Sequence, residues 1–136
     1  MQSTSLISNS NRLGFLLILV SLLSACSNNS LAPFEPQICN IQDSFQLQAT
    51  NVSNVSTNLV YTWNNSGTRA TINHSTTTTA GSTLLVIKDA VGATVYSKAL
   101  SPSLNEPTSV GVAGSWTITL TLTNYSGTLN FRAQKL

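Results

Sequence analysis

Between residues 116 and 123 the chain alternates without exception: Trp116, Ile118, Leu120 and Leu122 occupy one parity, and Thr117, Thr119, Thr121 and Thr123 the other. A period of two belongs to a β-strand with one face buried and one face wet, and no helix accommodates it. Phe45, Leu47 and Ala49 alternate in the same way with Ser44, Gln46, Gln48 and Thr50, and Leu59, Tyr61 and Trp63 with Val60, Thr62 and Asn64. Ala70 and Ile72 share one face of a further segment. Leu129, Phe131 and Ala133 point inward from another, with Asn130, Arg132 and Gln134 toward water. Leu84-Leu85-Val86-Ile87 is apolar on both parities, which predicts a strand covered from both sides. From Ile38 onward no segment carries a stripe of helical period, so the expected class is all-β.

The punctuation between these segments predicts how they connect. Asp89-Ala90-Val91-Gly92 has an Asp suited to open a turn and a Gly suited to close it at positive φ, and reads as a hairpin into Ala93 to Leu100. Asn124-Tyr125-Ser126-Gly127 reads as the turn of a closing hairpin. Ser101 to Pro107 reads as a loop, Ser109 to Val112 as a short strand and Thr76 to Thr79 as a polar loop. Seven or eight short antiparallel strands at this spacing predict one small β-sandwich, jelly-roll or immunoglobulin-like, over residues 38–136.

The residues before it have a different character. Arg12 precedes an apolar run from Leu13 to Leu23, followed by the small residues Ser24 and Ala25 and then Cys26. That run is shorter than the about 20 apolar residues a membrane span needs, and suits a secretory leader. Leu23-Ser24-Ala25-Cys26 resembles the bacterial lipobox. The resemblance implies cleavage before Cys26 and thioether attachment of diacylglycerol to its sulfur, with membrane anchoring through acyl chains such as palmitate. An ordinary secretory cleavage after Ala25 fits the same residues. Residues 1–25 are then a signal peptide and 26–37 the lipidated Cys with a tether. The tether holds Pro33 and Pro36 and reaches at most about 35 to 40 Å when extended. Lipidation leaves Cys39 unpaired; Ile38 and Ile41 beside it predict a buried thiol.

A second resemblance rests on Gly114-Ser115-Trp116-Thr117-Ile118-Thr119-Leu120 followed by Tyr125-Ser126-Gly127-Thr128-Leu129-Asn130-Phe131. This is similar to the closing hairpin of jelly-roll sandwiches such as the P domain of proprotein convertases and the bacterial pre-peptidase C-terminal domain. It covers about the last 55 residues and implies a non-catalytic appendage; the acidic clusters with which some of those domains bind calcium are missing here.

Only 7% of residues are charged, against a usual ~25%. Without Arg12 the side-chain charge is about +1, from five cations and four carboxylates, and no Lys/Arg cluster exists to track nucleic acid. Glu35, Asp43, Asp89 and Glu106 are scattered, and His74 is the sole histidine. A zinc site or an acid/base carboxylate pair is therefore poorly supplied, and no phosphate loop or nucleophile elbow is present. These features predict no enzyme, no cofactor and no metal. The Asn-x-Ser triplets at Asn51, Asn54, Asn64 and Asn73 carry no glycosylation meaning behind a bacterial leader.

Recognition is left to flat side chains. Trp116 shares parity with Ile118 and belongs to the core, and Tyr61 and Trp63 share a face with Leu59. Tyr125, in its turn, and Tyr96, beside Thr94 and Lys98, are the more exposed candidates, with Trp63 a third. The expectation is a non-catalytic outer-membrane lipoprotein, since Ser27 rather than Asp follows Cys26. It would be held in the cell envelope by lipid on Cys26, as an accessory, assembly or adhesion component that binds a protein. A carbohydrate- or peptidoglycan-binding module and an inhibitor or immunity lipoprotein are the alternatives. Exposed aromatics would favour glycan, a projecting loop inhibition, and an open edge strand assembly by strand addition.

Overall fold

The structure, a computed structural model, describes residues 34–136; the leader, Cys26 and most of the tether lie outside the described residues. Seven strands form one antiparallel sheet: β1 (Gln37–Ile41), β2 (Ser44–Asn65), β3 (Ala70–His74), β4 (Thr77–Lys88), β5 (Thr94–Lys98), β6 (Leu104–Pro107) and β7 (Gly114–Lys135). There is no helix among the described residues. The order is β1-β2-β7-β3-β6, with β4 also beside β7 and β5 outside β4.

β2 and β7, each 22 residues long, pair along nearly their whole length, Ser44 opposite Gln134 and Asn65 opposite Gly114. Sixteen residues of straight strand would separate Phe45 from Tyr61 by about 50 Å. Their rings instead lie 5.3 Å apart, so β2 doubles back on itself. The crease is written in the sequence. Asn51 and Asn54 of β2, Asn124 and Gly127 of β7 and Gly81 of β4 all have positive φ, and the pairing shifts register at each. Asn and Gly tolerate that conformation at least cost, and each bulge adds bend and twist. The five residues lie side by side across three strands, because Val52 faces Gly127 and Ala80 faces Ser126. Two serines take up backbone donors that the bulges leave free: Asn54 N–H donates to Ser126 Oγ at 2.9 Å and Asn124 N–H to Ser56 Oγ at 2.8 Å. Thus the tandem Asn51-Val52-Ser53 and Asn54-Val55-Ser56 encodes a fold line.

One core fills the inside of the crease. Phe45, Leu47, Trp63, Ile72, Trp116, Ile118, Leu120, Phe131 and Ala133 are fully buried, all on the parity the sequence assigns to the interior, and Leu85 and Ile87 are buried with them. Trp63 and Trp116 oppose each other across β2 and β7 and meet edge to face, centroids 5.8 Å apart. Such a pair adds about 0.5–1.5 kcal/mol beyond its buried area.

Several sequence expectations change. Asn124–Gly127 is a bulge within continuous β7, not a hairpin turn: β2 creases beside it, so pairing passes through. The bulge also flips parity, so that Leu122 and Tyr125 both face inward. Leu84-Leu85-Val86-Ile87 is covered on one side only, with Leu84 43% exposed, because among the described residues no element packs on the outer face of β4. Ser109–Val112 is not a strand; Ser109 N–H donates to Val95 O and Gly111 N–H to Thr68 O. Thr77–Thr79 open β4, and the loop at Ser101–Pro107 contains β6. Cys39 is exposed, because β1 is an edge strand and Cys39 lies opposite Gln46 on the outer face. The turn at Asp89 is as expected: Gly92 has φ 84, and Asp89 Oδ1 accepts from Val91 N–H at 3.1 Å and Ala93 N–H at 2.8 Å.

Candidate binding surfaces

Trp63, Tyr96 and Tyr125, the aromatic binding candidates, present no open ring. Trp63 and Tyr125 are fully buried and Tyr96 is 6% exposed. Trp63 Nε1–H donates to Ile41 O at 3.2 Å, and the Tyr125 hydroxyl lies 3.2 Å from the carbonyl oxygens of both Thr77 and Thr128. Tyr96 lies opposite the core residue Ile87 and faces inward, and a register shift at Ile87/Lys88 puts Thr94 opposite the exposed Lys88, so Tyr96 and Thr94 do not share a face. The exposure on which the sequence reading of Tyr96 and Tyr125 rested is therefore absent.

Tyr96 instead joins a polar cluster at the margin of the core. Ser101 N–H donates to His74 Nδ1 at 3.2 Å, which leaves that nitrogen unprotonated and places the ring proton on Nε2, 2.8 Å from Tyr96 Oη. Ser101 Oγ stands 3.5 Å from Nδ1. Lys98 Nζ donates to Glu106 Oε2 at 2.8 Å and lies 2.6 Å from Oε1. Burial holds His74 below the usual histidine range, against the pull of Glu106. Burial, then Glu106, push the Tyr96 phenol far above its usual value. The Lys98 ammonium holds Glu106 below the carboxylate range, with burial opposing. With the imidazole 2% exposed and its lone pair engaged by a backbone donor, the cluster fastens the β5–β6 connection to the end of β3.

Asp89 is equally committed. Burial works to raise its pKa, but the backbone donors of Val112, Ala93 and Val91 outweigh it and hold the carboxyl below its ordinary range. Val112 N–H reaches Oδ2 at 2.9 Å, so this carboxylate ties the β4–β5 turn to the segment before β7. Asp43 is lowered chiefly by Ser66 N–H, which donates at 2.7 Å; burial opposes, and Lys135 Nζ lies 3.3 Å away. Among the described residues no three His, Cys, Asp or Glu side chains gather as metal ligands.

Two features outside the core remain available. One is the outer face of the sheet at β2, β7, β3 and β6, where the register puts Gln46, Arg132, Asn73 and Asn105 in a single cross-strand row. Asn130, Gln134, Thr71 and Lys135 flank that row around a shallow depression of about 350 Å³. The other is β1, exposed at all five positions. Sequence reading identified Asn130, Arg132 and Gln134 only as solvent-facing. The signal it passed over is that Asn, which strands disfavour, and Gln recur on one parity of neighbouring segments.

No protein-family profile, curated protein or solved structure matches the chain.

Proposed function

We propose that the chain is a non-catalytic lipoprotein of the bacterial outer membrane, anchored through Cys26, whose creased sheet forms a β-sandwich that binds an envelope protein by strand addition to β1. The lipobox-like Leu23-Ser24-Ala25-Cys26 supports the anchor. The contact between the two ends of β2 supports the sandwich.

The observation that carries the reading is the contrast between β1 and the other sheet edges. β6 is blunted by Pro107 and carries Glu106. β5 carries Lys98, and its Val95 carbonyl is already taken by Ser109 N–H and Oγ. The outer edge of β2 is occupied where Asn40 Nδ2 reaches Thr62 O and Asp43 N–H reaches Asn64 O. β1 holds no charge and no proline, and Ile38 and Ile41 are 37% and 61% exposed. Unprotected edges are what other strands pair with.

Cys39, at the centre of β1, allows a direct test with the lipidated protein in native envelopes. A photoactivatable benzophenone on Cys39 is expected to give one discrete adduct, and the same group at position 60 in a Cys39→Ser, Val60→Cys variant is not. The two-residue turn after Ile41 directs the Ile38 N–H away from β2, so Ile38→Pro should abolish the adduct while leaving the thermal midpoint nearly unchanged. An adduct that survives Ile38→Pro, or none from Cys39, contradicts strand addition at β1.

A further inference from the structure

The outer face around Arg132 begins one strand in from the β1 edge, at Gln46, and calls for its own explanation. Gln46, Arg132, Asn73 and Asn105 stand on four adjacent strands, so the row is about 14 Å long at about 4.8 Å per strand. Within it Arg132 Nη2 donates to Gln46 Oε1 at 3.2 Å. The side-chain amides of Asn73, Asn105, Asn130 and Gln134 hydrogen-bond to no other described residue. Each free amide offers two donors and one acceptor oxygen. The depression they line contains Arg132 and Lys135 and no carboxylate. Lys135 is neutralised by Asp43 at 3.3 Å, whereas Arg132 has no acidic partner among the described residues.

This composition does not follow from the fold. Solvent-facing strand positions are filled most favourably by Thr, Val and Ile, and the outer face of the same sheet at Thr117, Thr119, Thr121, Val60, Thr62 and Val86 is filled in that way, with Asn58 opposite Thr121 the exception. An amide row centred on one unneutralised guanidinium is complementary to a ligand that carries many hydroxyl groups and a carboxylate. The guanidinium fork takes the carboxylate, and the amides take hydroxyls as both donors and acceptors. We infer that the Gln46–Arg132–Asn73–Asn105 face is a binding site for an acidic oligosaccharide, a chain of sugars bearing uronic-acid carboxylates, about three rings of which the row accommodates. The site uses no residue of the β1 edge, so it stands or falls separately from strand addition.

The test is calorimetric titration of the full lipidated protein in detergent micelles with trigalacturonate, with trigalactose and triglutamate as the carboxylate-free and sugar-free counterparts. Saturable binding of trigalacturonate is expected, weakened about tenfold or more in Arg132→Gln, since a charge-assisted pair is lost. Binding should weaken severalfold in Asn73→Ala and Asn105→Ala, with all three variants keeping the parental thermal midpoint. Asn105 stands on the edge strand β6, where truncation spares the core, so its variant decides the matter if Arg132→Gln unfolds. Trigalactose should bind at least about tenfold more weakly than trigalacturonate, and triglutamate likewise. The inference is overturned by absence of saturable binding, by trigalactose binding as tightly, by triglutamate binding as tightly, which would make the face an acidic-peptide site, or by affinity indifferent to Arg132 and Asn105.

Discussion

β7 carries two different outer faces on one strand. From Thr117 to Thr123 its solvent side is all threonine, flanked by Asn58, Val60 and Thr62 on β2 and by Leu84 and Val86 on β4. Beyond the crease at Asn124 and Gly127 the same side becomes Asn130, Arg132 and Gln134, flanked by Gln46 on β2 and Asn73 on β3. The inner faces obey a single rule in both halves: Trp116, Ile118 and Leu120 on one side of the crease and Leu129, Phe131 and Ala133 on the other are all fully buried. Burial dictates the interior and leaves the exterior free, so a difference confined to the exterior reflects what that exterior meets.

The comparison predicts that substitutions inside the crease dominate stability. Trp116→Ala, which empties a fully buried site against Trp63, should cost about 3–5 kcal/mol in denaturant unfolding. A cost below about 0.5 kcal/mol would place Trp116 on the surface and undo the register of β7. Next comes the fold line itself. A Cβ on Gly127 would collide with the Thr77 carbonyl oxygen, and one on Gly81 with the carbonyls of Thr123 and Asn124; both sit at positive φ, and backbone cannot step aside. Gly127→Ala and Gly81→Ala should each lose about 1–3 kcal/mol or more. Tolerance of either substitution would mean that the crease lies elsewhere.

Much of this was legible. Inward parity at Phe45, Leu47, Trp63, Ile72 and Trp116 to Leu122 follows from the period of two alone, as does the Asp89 turn from its residues. What could not be read is whether Asn124 to Gly127 ends a strand or bends it, because turns and bulges draw on the same Asn and Gly chemistry. That single ambiguity turned one creased strand into a hairpin and turned Tyr125 outward. β1 was invisible as a strand because it buries no face, and Cys39 was misplaced for the same reason; β6 is four residues long, with only Leu104 and Glu106 half-buried. Tyr96 was read as exposed beside Thr94 because the bulge opposite Ile87 and Lys88, which lets Val95 and Tyr96 both face inward, leaves no mark in the alternation.

A smaller effect distinguishes the polar cluster from both faces. His74 is held neutral in the folded chain and titrates near its ordinary value of 6.5 when unfolded. Between the unfolded and folded pKa values the unfolded chain binds the extra proton, so stability falls as pH drops below about 6.5 and stops responding to this group below the folded pKa. Asp43, Asp89 and Glu106, all lowered, withdraw their contribution only in a second stage, as pH falls through their folded values below the usual 3.8 to 4.5. Unfolding free energy measured from pH 8 to pH 5 should decline in the parent and stay flat in His74→Gln. A flat parent profile would show that His74 protonates freely.

The smallest stability effects belong to the outer faces. Val60→Thr and Leu84→Thr should change unfolding by no more than about 0.5 kcal/mol. The amide row carries the central claim, that these residues serve a ligand and not the sheet. Replacing Gln46, Asn73, Asn105 and Asn130 together by Thr brings one outer face close to the other, and the unfolding midpoint of the full-length variant measures the consequence directly. An unchanged or higher midpoint is predicted, since threonine suits a solvent-facing strand better than the three Asn it replaces; a clear fall would mean that the amides hold the sheet together, and would contradict the claim.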